Sequence, residues 1–365
     1  MRGSFMESEV NRTVIEKLIH GIKPASEEWR QKARQRLDTL TKPLGSLGRL
    51  EDIAAQIAAI RREHLSEPLG KAVYVFAADH GVTEEGVSAY PREVTRQMVL
   101  NFLSEGAAIN VLARQHRATM HVVDVGVDGD FGSIPGLLHH KVRRGTRNMV
   151  REAAMSEEEV EKALNIGYEL GSEGAAAGHT MMAIGEMGIG NTTSASAVTC
   201  ALTGAAARLA TGRGTGLEPA AYANKVRVVE ATIGRHCNGS ASLPAIEILR
   251  CVGGLEIAAM AGMVLAGARH SLVVVLDGFI STAAAALAVG MAPNALDYLI
   301  AGHCSEEPGH KILLDHLRLT PVLSLGMRLG EGTGAVLAMP VIESALALYQ
   351  QMATFSSAGV SGATP

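Results

Sequence analysis

The segment MAIGEMGIGNTTSASAV, residues 182–198, combines small residues in an order that is typical of an anion-binding turn. An apolar run ends at Gly185, and an Ala- and Ser-rich stretch of helical character begins after Thr193. Between them, Gly188 and Gly190 permit positive φ and a close approach of a ligand to the backbone. The N–H groups at such a helix start, helped by the helix dipole, favour a phosphate.

This turn indicates a phosphate monoester rather than a triphosphate. It lacks the Lys-Ser/Thr ending of a P-loop and does not match the G-x-G-x-x-G pattern. Its candidate phosphate or ribose ligands also include Asn191, Thr192 and Thr193. Glu186 stands at the mouth of the turn and would put a carboxylate beside the phosphate. A tight strand-to-helix turn without a ligand is the alternative interpretation.

Further glycine-containing segments could contribute to the same site. The segment 211–230 carries Arg213 and, just inside an expected helix, Lys225, whose ammonium group could meet the phosphate as a point charge. Gly253 and Gly254 open another helix. They could either donate backbone N–H groups to a ligand or allow close helix packing.

Glu331 lies between two glycines in GMRLGEGTGAVLA, residues 326–338, just before an expected helix start. A glutamate there gains no packing. Held in a closed and partly apolar pocket, its carboxyl group would have a raised pKa and suit a general base. The loop at 77–98, with Ser88 and Tyr90, could form a lid or a flat pocket for a ring-shaped ligand.

These residues are positioned by an alternation of strands and helices. Near-continuous apolar strands are predicted at 72–79, 119–126, 179–185 and 271–278, and each is followed by a helical pattern. This predicts an α/β fold with a parallel, Rossmann-like sheet and helices on both faces. Ligands then bind beyond the carboxyl ends of the strands. The carboxylates expected there are Asp79, Asp124, Glu186 and Asp277. Each could instead be a helix N-cap.

The two chain ends have helical patterns. Residues 8–65 are polar and helical in pattern around a loop at 41–51. The segment 335–352 reads as a helix interrupted by Pro340, and we expect it to pack on the N-terminal helices.

Composition and charge exclude several classes of protein. The 365-residue chain has a net charge of −4 and a basic cluster only at 139–147, so no nucleic-acid partner is expected. Its four cysteines lack C-x-x-C spacing, which indicates reduced thiols rather than a metal site and favours a cytoplasmic protein. The apolar runs at 255–268 and 280–292 are interrupted and too short for a membrane span, and no signal peptide is expected. Residues 1–5 could be an expression remnant.

Six motifs in a fixed order resemble one family: TKPLGSLGRLE, AADHGV, EMGIGNTT, GGLEIAAMAG, EPGH and RLGEGTGA. It is the nicotinate-nucleotide:dimethylbenzimidazole phosphoribosyltransferase family of cobalamin biosynthesis. The motifs extend from about residue 41 to residue 338, which is nearly the whole chain.

The resemblance implies a large α/β catalytic domain at 71–338 and a small helical domain made from 1–70 and 339–365. It also implies a homodimer without a cofactor or a metal. The implied reaction moves the phosphoribosyl group of nicotinate mononucleotide onto 5,6-dimethylbenzimidazole, with inversion at C1′.

The resemblance also assigns roles to residues of this chain. Glu331 would be the catalytic base, and Glu186 would lie near the ribose. The turn from Gly188 to Thr193 would hold the 5′-phosphate together with Lys225, with Gly253 and Gly254 as further candidates. The candidates for binding the acceptor base are Ser88, Tyr90, Gln97 and Met187. His310 of EPGH has no assigned role.

Three other interpretations compete with this one. A non-catalytic carrier of benzimidazole or its ribosides would not need Glu331, which is present. An enzyme of the same fold could act on another flat base, because specificity for such rings depends on a few pocket contacts. A dehydrogenase with a dinucleotide fold is disfavoured, because ADHGVTEEG follows the first strand in place of a fingerprint turn.

Overall fold

A computed structural model of the protein describes residues 14–63, 69–214, 216, 218–237 and 243–361. Residues 1–5 and part of the N-terminal helical pattern lie outside the described residues. The strands are β1 (Lys71–Ala78), β2 (Thr119–Gly126), β3 (Leu137–His139), β4 (Met181–Met187), β5 (Val273–Leu276) and β6 (Leu299–Ala301). The helices are α1 (Val14–Ile19), α2 (Glu27–Thr39), α3 (Arg49–Arg61), α4 (Glu93–Leu103), α5 (Ala108–Gln115), α6 (Glu157–Ala176), α7 (Asn191–Thr203), α8 (Ala207–Ala210), α9 (Pro219–His236), α10 (Ala245–Val252), α11 (Leu255–Arg269), α12 (Phe279–Met291), α13 (Pro308–Leu317), α14 (Thr333–Gln351) and α15 (Phe355–Ala358).

The strands form one parallel sheet in the order β3-β2-β1-β4-β5-β6. This confirms the predicted parallel α/β architecture and the four predicted strands. Strands β3 and β6 were not predicted, because three residues are too few to form a recognisable apolar run. Strand order reverses between β1 and β4, and a crevice for ligands is expected beyond their carboxyl ends.

Glycines let the helices pack closely on each other. Helix α11 is buried along nearly its whole length and packs along α6. A Cβ atom on Gly167 would lie 1.7 Å from the carbonyl oxygen of Ala259, and one on Gly262 would lie 1.9 Å from that of Leu164. Side chains at these two positions would push the helices apart, which explains part of the high glycine content.

The long helix α14 near the C-terminus returns to the N-terminal helices, as predicted, and packs against α3. The guanidinium group of Arg36 in α2 donates hydrogen bonds to the carbonyl oxygens of Tyr349 (2.9 Å) and Gln350 (3.0 Å). The predicted interruption at Pro340 is wrong, because α14 continues through it. Proline removes one helical N–H donor, and the buried residues on either side of it keep the helix continuous.

Within the described residues, α14 is the helix that is long and apolar enough to cross a membrane by length and composition. In the fold, 56% of its apolar window is buried. It packs against α3, β4 and β5. A core helix passes the same test of length and composition, so α14 is weak evidence for a membrane span.

Candidate active site

A cavity of about 380 Å³ opens beyond the carboxyl ends of β4 and β5, as the strand order leads one to expect. The predicted site residues that line it are Tyr90, Glu186, Met187, Gly188, Asn191, Thr192 and Glu331. A smaller cavity of about 50 Å³ adjoins it. The predicted residues lining this one are Ser88, Gly188, Gly190, Asn191, Thr192 and Lys225. The two cavities share the turn before α7, so the structure brings most of the predicted residues together.

The shared turn has the features of a phosphate cradle. Gly190 has a φ of 97° and lies just before α7, where a side chain would be strained. A Cβ atom on Gly188 would lie 2.4 Å from the carbonyl oxygen of Ala78. The backbone N–H of Ile189 donates to the hydroxyl of Thr95 at 3.1 Å, which anchors the turn to α4.

Lys225 supplies a buried cation to this cradle. It lies in α9 with a relative exposure of 1%, and its Nζ donates a hydrogen bond of 2.8 Å to Oγ1 of Thr192. Burial lowers the pKa of its ammonium group to about 8, and the nearby carboxyl group of Glu307 opposes this shift. A bound phosphate would stabilise the charged form of Lys225.

Glu186, at the end of β4, is a buried carboxyl group in the cavity wall. Its Oε2 accepts a hydrogen bond from Nδ2 of Asn191. Burial raises the pKa of Glu186 to about 8, and the negative charges of Glu256, Asp277 and Glu331 add to this shift, while Asn191 opposes it. The carboxyl group is therefore mostly protonated at neutral pH, and a positively charged ligand atom beside it would favour its ionised form.

Glu331 is buried just before α14, with a relative exposure of 5%. It has a φ of 64°, a conformation that is uncommon for a residue with a side chain and is typical of functional sites. Burial raises the pKa of its carboxyl group to about 7. The negative charge of Asp277 adds to this shift, while a hydrogen bond from the backbone N–H of Ile109 opposes it. Its Oε2 has no hydrogen-bond partner within the described residues.

Asp277 follows β5 and fixes the segment that carries Glu331. Its two carboxylate oxygens accept hydrogen bonds from the N–H groups of Gly332 (3.0 Å), Gly334 (2.7 Å) and Ala335 (3.2 Å). Burial raises the pKa of Asp277 to about 7, although these three donors lower it. The residue thus caps the N-terminus of α14 and holds the backbone around Glu331.

Four predicted residues line neither cavity: Gln97, Thr193, Gly253 and Gly254. Gln97 is exposed on α4, whose Val94 and Met98 face the larger cavity instead. Thr193 is fully buried in α7. A Cβ atom on Gly253 would lie 2.4 Å from the carbonyl oxygen of Leu249. Close packing therefore accounts for Gly253.

Gly254 and the strand-end aspartates Asp79 and Asp124 have structural contacts outside both cavities. A Cβ atom on Gly254 would lie 2.4 Å from Cε1 of His80, whose Nε2 is 2.7 Å from Oε1 of Glu256. Asp79 accepts the N–H of Asp128. Asp124 accepts the N–H groups of Gly126 and Val127 and pairs with Lys141. Neither aspartate is the N-cap of a helix, so the helix-cap alternative does not describe them.

His310 is a fully buried residue of α13. Its Nδ1 accepts the N–H of Ser305 at 2.9 Å, so the proton is on Nε2, which lies 3.0 Å from Oγ1 of Thr282. Burial and the nearby His303 lower the pKa of His310 to about 3, so its ring is neutral. The residue fixes the segment before α13 and does not line the cavity.

The sequence interpretation missed part of the cavity wall. The missed polar residues are Ser281, His303, Ser305, Glu307 and Arg328, and Asp277 was noted only as a strand end. Arg328 is the first residue of RLGEGTGA and Glu307 the first of EPGH, so membership of recognised motifs was the available signal. Within the described residues, no group of three or more His, Cys, Asp or Glu side chains is arranged to hold a metal ion.

Comparison with known proteins identifies the family. A family model described as phosphoribosyltransferase matches residues 22–360. The nicotinate-nucleotide–dimethylbenzimidazole phosphoribosyltransferase of Geobacter sulfurreducens is 49% identical over 348 residues, which is 95% of this chain and 98% of the relative. The chain belongs to the nicotinate-nucleotide–dimethylbenzimidazole phosphoribosyltransferase family.

Other members of the family agree with this assignment. The protein of the same name from Chromobacterium violaceum is 49% identical over 94% of this chain and 99% of its own length. The crystal structure of CobT from Thermus thermophilus superposes with a TM-score of 0.88 at 48% sequence identity. The superposition covers 92% of this chain and 100% of the chain from Thermus thermophilus. The resemblance inferred from the six motifs is confirmed, and the α/β fold is that of the family.

Proposed function

We propose that the protein transfers the phosphoribosyl group of nicotinate mononucleotide to 5,6-dimethylbenzimidazole. The products are nicotinate and α-ribazole 5′-phosphate, and the step belongs to cobalamin biosynthesis. The observation that carries the proposal is the meeting, in one crevice, of a phosphate cradle with the buried carboxyl group of Glu331. The names of the relatives support the same reaction.

The donor nucleotide binds through its phosphate. The turn at Gly190, with Thr192 and Lys225, holds the 5′-phosphate and orients the ribose toward the larger cavity. The pyridinium nitrogen of nicotinate mononucleotide is already positive, so nicotinate can leave without a general acid. Glu186 then faces C1′, where the developing positive charge favours the ionised form of its carboxyl group.

The acceptor base attacks C1′ from the opposite face, which inverts the configuration from β to α. Glu331 takes the proton from one ring nitrogen while the other nitrogen attacks. A pKa near 7 suits this role, because the carboxylate is available at neutral pH and still binds the proton well. A positioned base typically contributes about 10²–10⁴-fold to the rate. The in-line arrangement of the two substrates contributes much of the remainder.

The flat acceptor ring would bind between apolar side chains. Tyr90 and Met187, of the candidates named from the sequence, line the larger cavity together with Val94 and Met98. Ser88 lines the smaller cavity, beside the phosphate end. This arrangement supports Tyr90 and Met187 as contacts of the base.

Assembly, location and domain division are further parts of the proposal. A homodimer is supported by exposed apolar residues near the cavity mouth, Tyr90 and Leu329 among them. A cytoplasmic location is supported by four free cysteines. The packing of α14 on α3 supports a small helical domain from residues 1–70 and 339–365 beside a catalytic domain at 71–338.

A product assay tests the proposal. Purified protein is mixed with nicotinate mononucleotide and dimethylbenzimidazole without added metal, and both products are quantified by chromatography. We expect α-ribazole 5′-phosphate and nicotinate in equal amounts. Binding of dimethylbenzimidazole without any product would favour a carrier. Faster transfer to another flat base in direct competition would change the proposed acceptor.

A further inference from the structure

Glu307 is a buried carboxyl group in the cavity wall for which the mechanism above has no role. It directly precedes α13 and has a relative exposure of 7%. Its Oε2 has no hydrogen-bond partner among the residues that the structure describes. A Cβ atom on Gly212 would lie 1.9 Å from that oxygen, so a glycine makes the room for it.

The surroundings of Glu307 connect it to the phosphate cradle. Burial raises the pKa of Glu307, while Lys225, the backbone N–H of Gly214 and Arg328 lower it. Gly214 lines both cavities, and a Cβ atom there would lie 3.3 Å from Nζ of Lys225. A ligand whose phosphate occupies the cradle would therefore bring its next few atoms past Glu307.

The missing hydrogen-bond donor limits which group of a ligand can lie beside Oε2 of Glu307. A buried acceptor without a donor is costly, so a bound ligand is expected to supply one. The phosphate and the carboxylate of nicotinate mononucleotide are acceptors at neutral pH, and its pyridinium nitrogen carries no proton. Only the ribose 2′- and 3′-hydroxyls can donate. The other unpartnered carboxyl oxygen in this cavity wall belongs to Glu331, which the acceptor base uses.

We propose that Glu307 accepts a hydrogen bond from a ribose hydroxyl of the donor nucleotide and selects ribonucleotides over their deoxy analogues. This inference rests on the proposed function. A site that hydrogen-bonds a substrate hydroxyl rejects an analogue that lacks it, because the buried partner is then left unpaired. Glu186 remains the carboxyl group that faces C1′, so the two glutamates act on different parts of the ribose.

The test compares kcat/KM for nicotinate mononucleotide with that for its 2′-deoxy and 3′-deoxy analogues. We expect the wild-type protein to disfavour one analogue by about 10²-fold, the effect of losing a hydrogen bond to a charged group. Glu307→Gln keeps a neutral acceptor, and the preference should fall to about tenfold, since such bonds are about half as strong. Glu307→Leu has no acceptor and should show almost none. Glu306→Gln, at the exposed neighbouring position, should keep the wild-type preference.

Two results would overturn the role of Glu307. One is a wild-type enzyme that transfers the ribo and deoxy donors equally well. The other is a Glu307→Gln protein that loses activity equally with all donors and keeps its preference, which would make the residue a charge partner of Lys225. If the wild type transfers no phosphoribosyl group at all, the proposed function fails. Calorimetric binding of the same three nucleotides then still tests Glu307.

Discussion

Glu331 should set the pH dependence of transfer. The carboxylate must be unprotonated to take the proton of the acceptor base, and burial raises its pKa to about 7. Below that pKa the ionised fraction falls tenfold per pH unit, so at about pH 6 kcat/KM should be about a tenth of its plateau. With an ordinary glutamate pKa, this fall of kcat/KM on the acid side of the pH profile would occur more than two pH units lower.

The assay is initial-rate release of nicotinate from about pH 5 to about pH 9, with acceptor protonation measured separately by absorbance. Glu331→Gln should lose about 10²-fold or more in kcat and also lose the acid limb, while the exposed control Glu306→Gln keeps both. Near-normal turnover of Glu331→Gln would refute the role of the base. If the fall in rate were centred near pH 8 and persisted in Glu331→Gln, the pH dependence would instead be assigned to Glu186, whose pKa is raised to about 8.

Three further predictions concern the same crevice. Lys225→Met should raise KM for the nucleotide about thirtyfold, equivalent to about 2 kcal/mol, without changing KM for the base. Steady-state kinetics with each substrate varied in turn would measure this. An equal rise in the two KM values would contradict the role of Lys225. Gly330→Ala should lose activity more than Gly326→Ala. Both glycines have positive φ, but only at 330 would the Cβ atom lie 2.4 Å from Glu186, while at 326 it meets nothing within 4 Å. Glu186 has a pKa raised from 4.5 to about 8, so it stabilises the fold below pH 4.5, and this contribution is lost as pH rises toward 8. The Tm of Glu186→Gln should therefore fall less over that interval than the Tm of the wild type, and parallel melting curves would contradict this.

The sequence predicted the elements whose signals are local. Long apolar strands, glycine turns and helix starts depend on neighbours a few residues apart, so β1, β2, β4 and the turn before α7 could be read directly. The short strands β3 and β6 could not be read in this way. They are strands only because a neighbouring strand pairs with them.

The sequence by itself also determined which residues were candidates for the chemistry, since Glu331 and Glu186 stand in glycine-rich motifs just before expected helix starts. Only the tertiary structure decided which carboxyl groups face the cavity. Asp79 and Asp124 accept hydrogen bonds from backbone N–H groups, and Asp124 also pairs with a lysine. Asp277 supports the segment of Glu331, while Oε2 of Glu307 has no hydrogen-bond partner among the described residues. These strand-end and loop carboxylates cannot be ranked from sequence, because burial, charge and hydrogen-bond partners come from segments distant along the chain. The same distant contacts raise the pKa values on which the proposed mechanism depends.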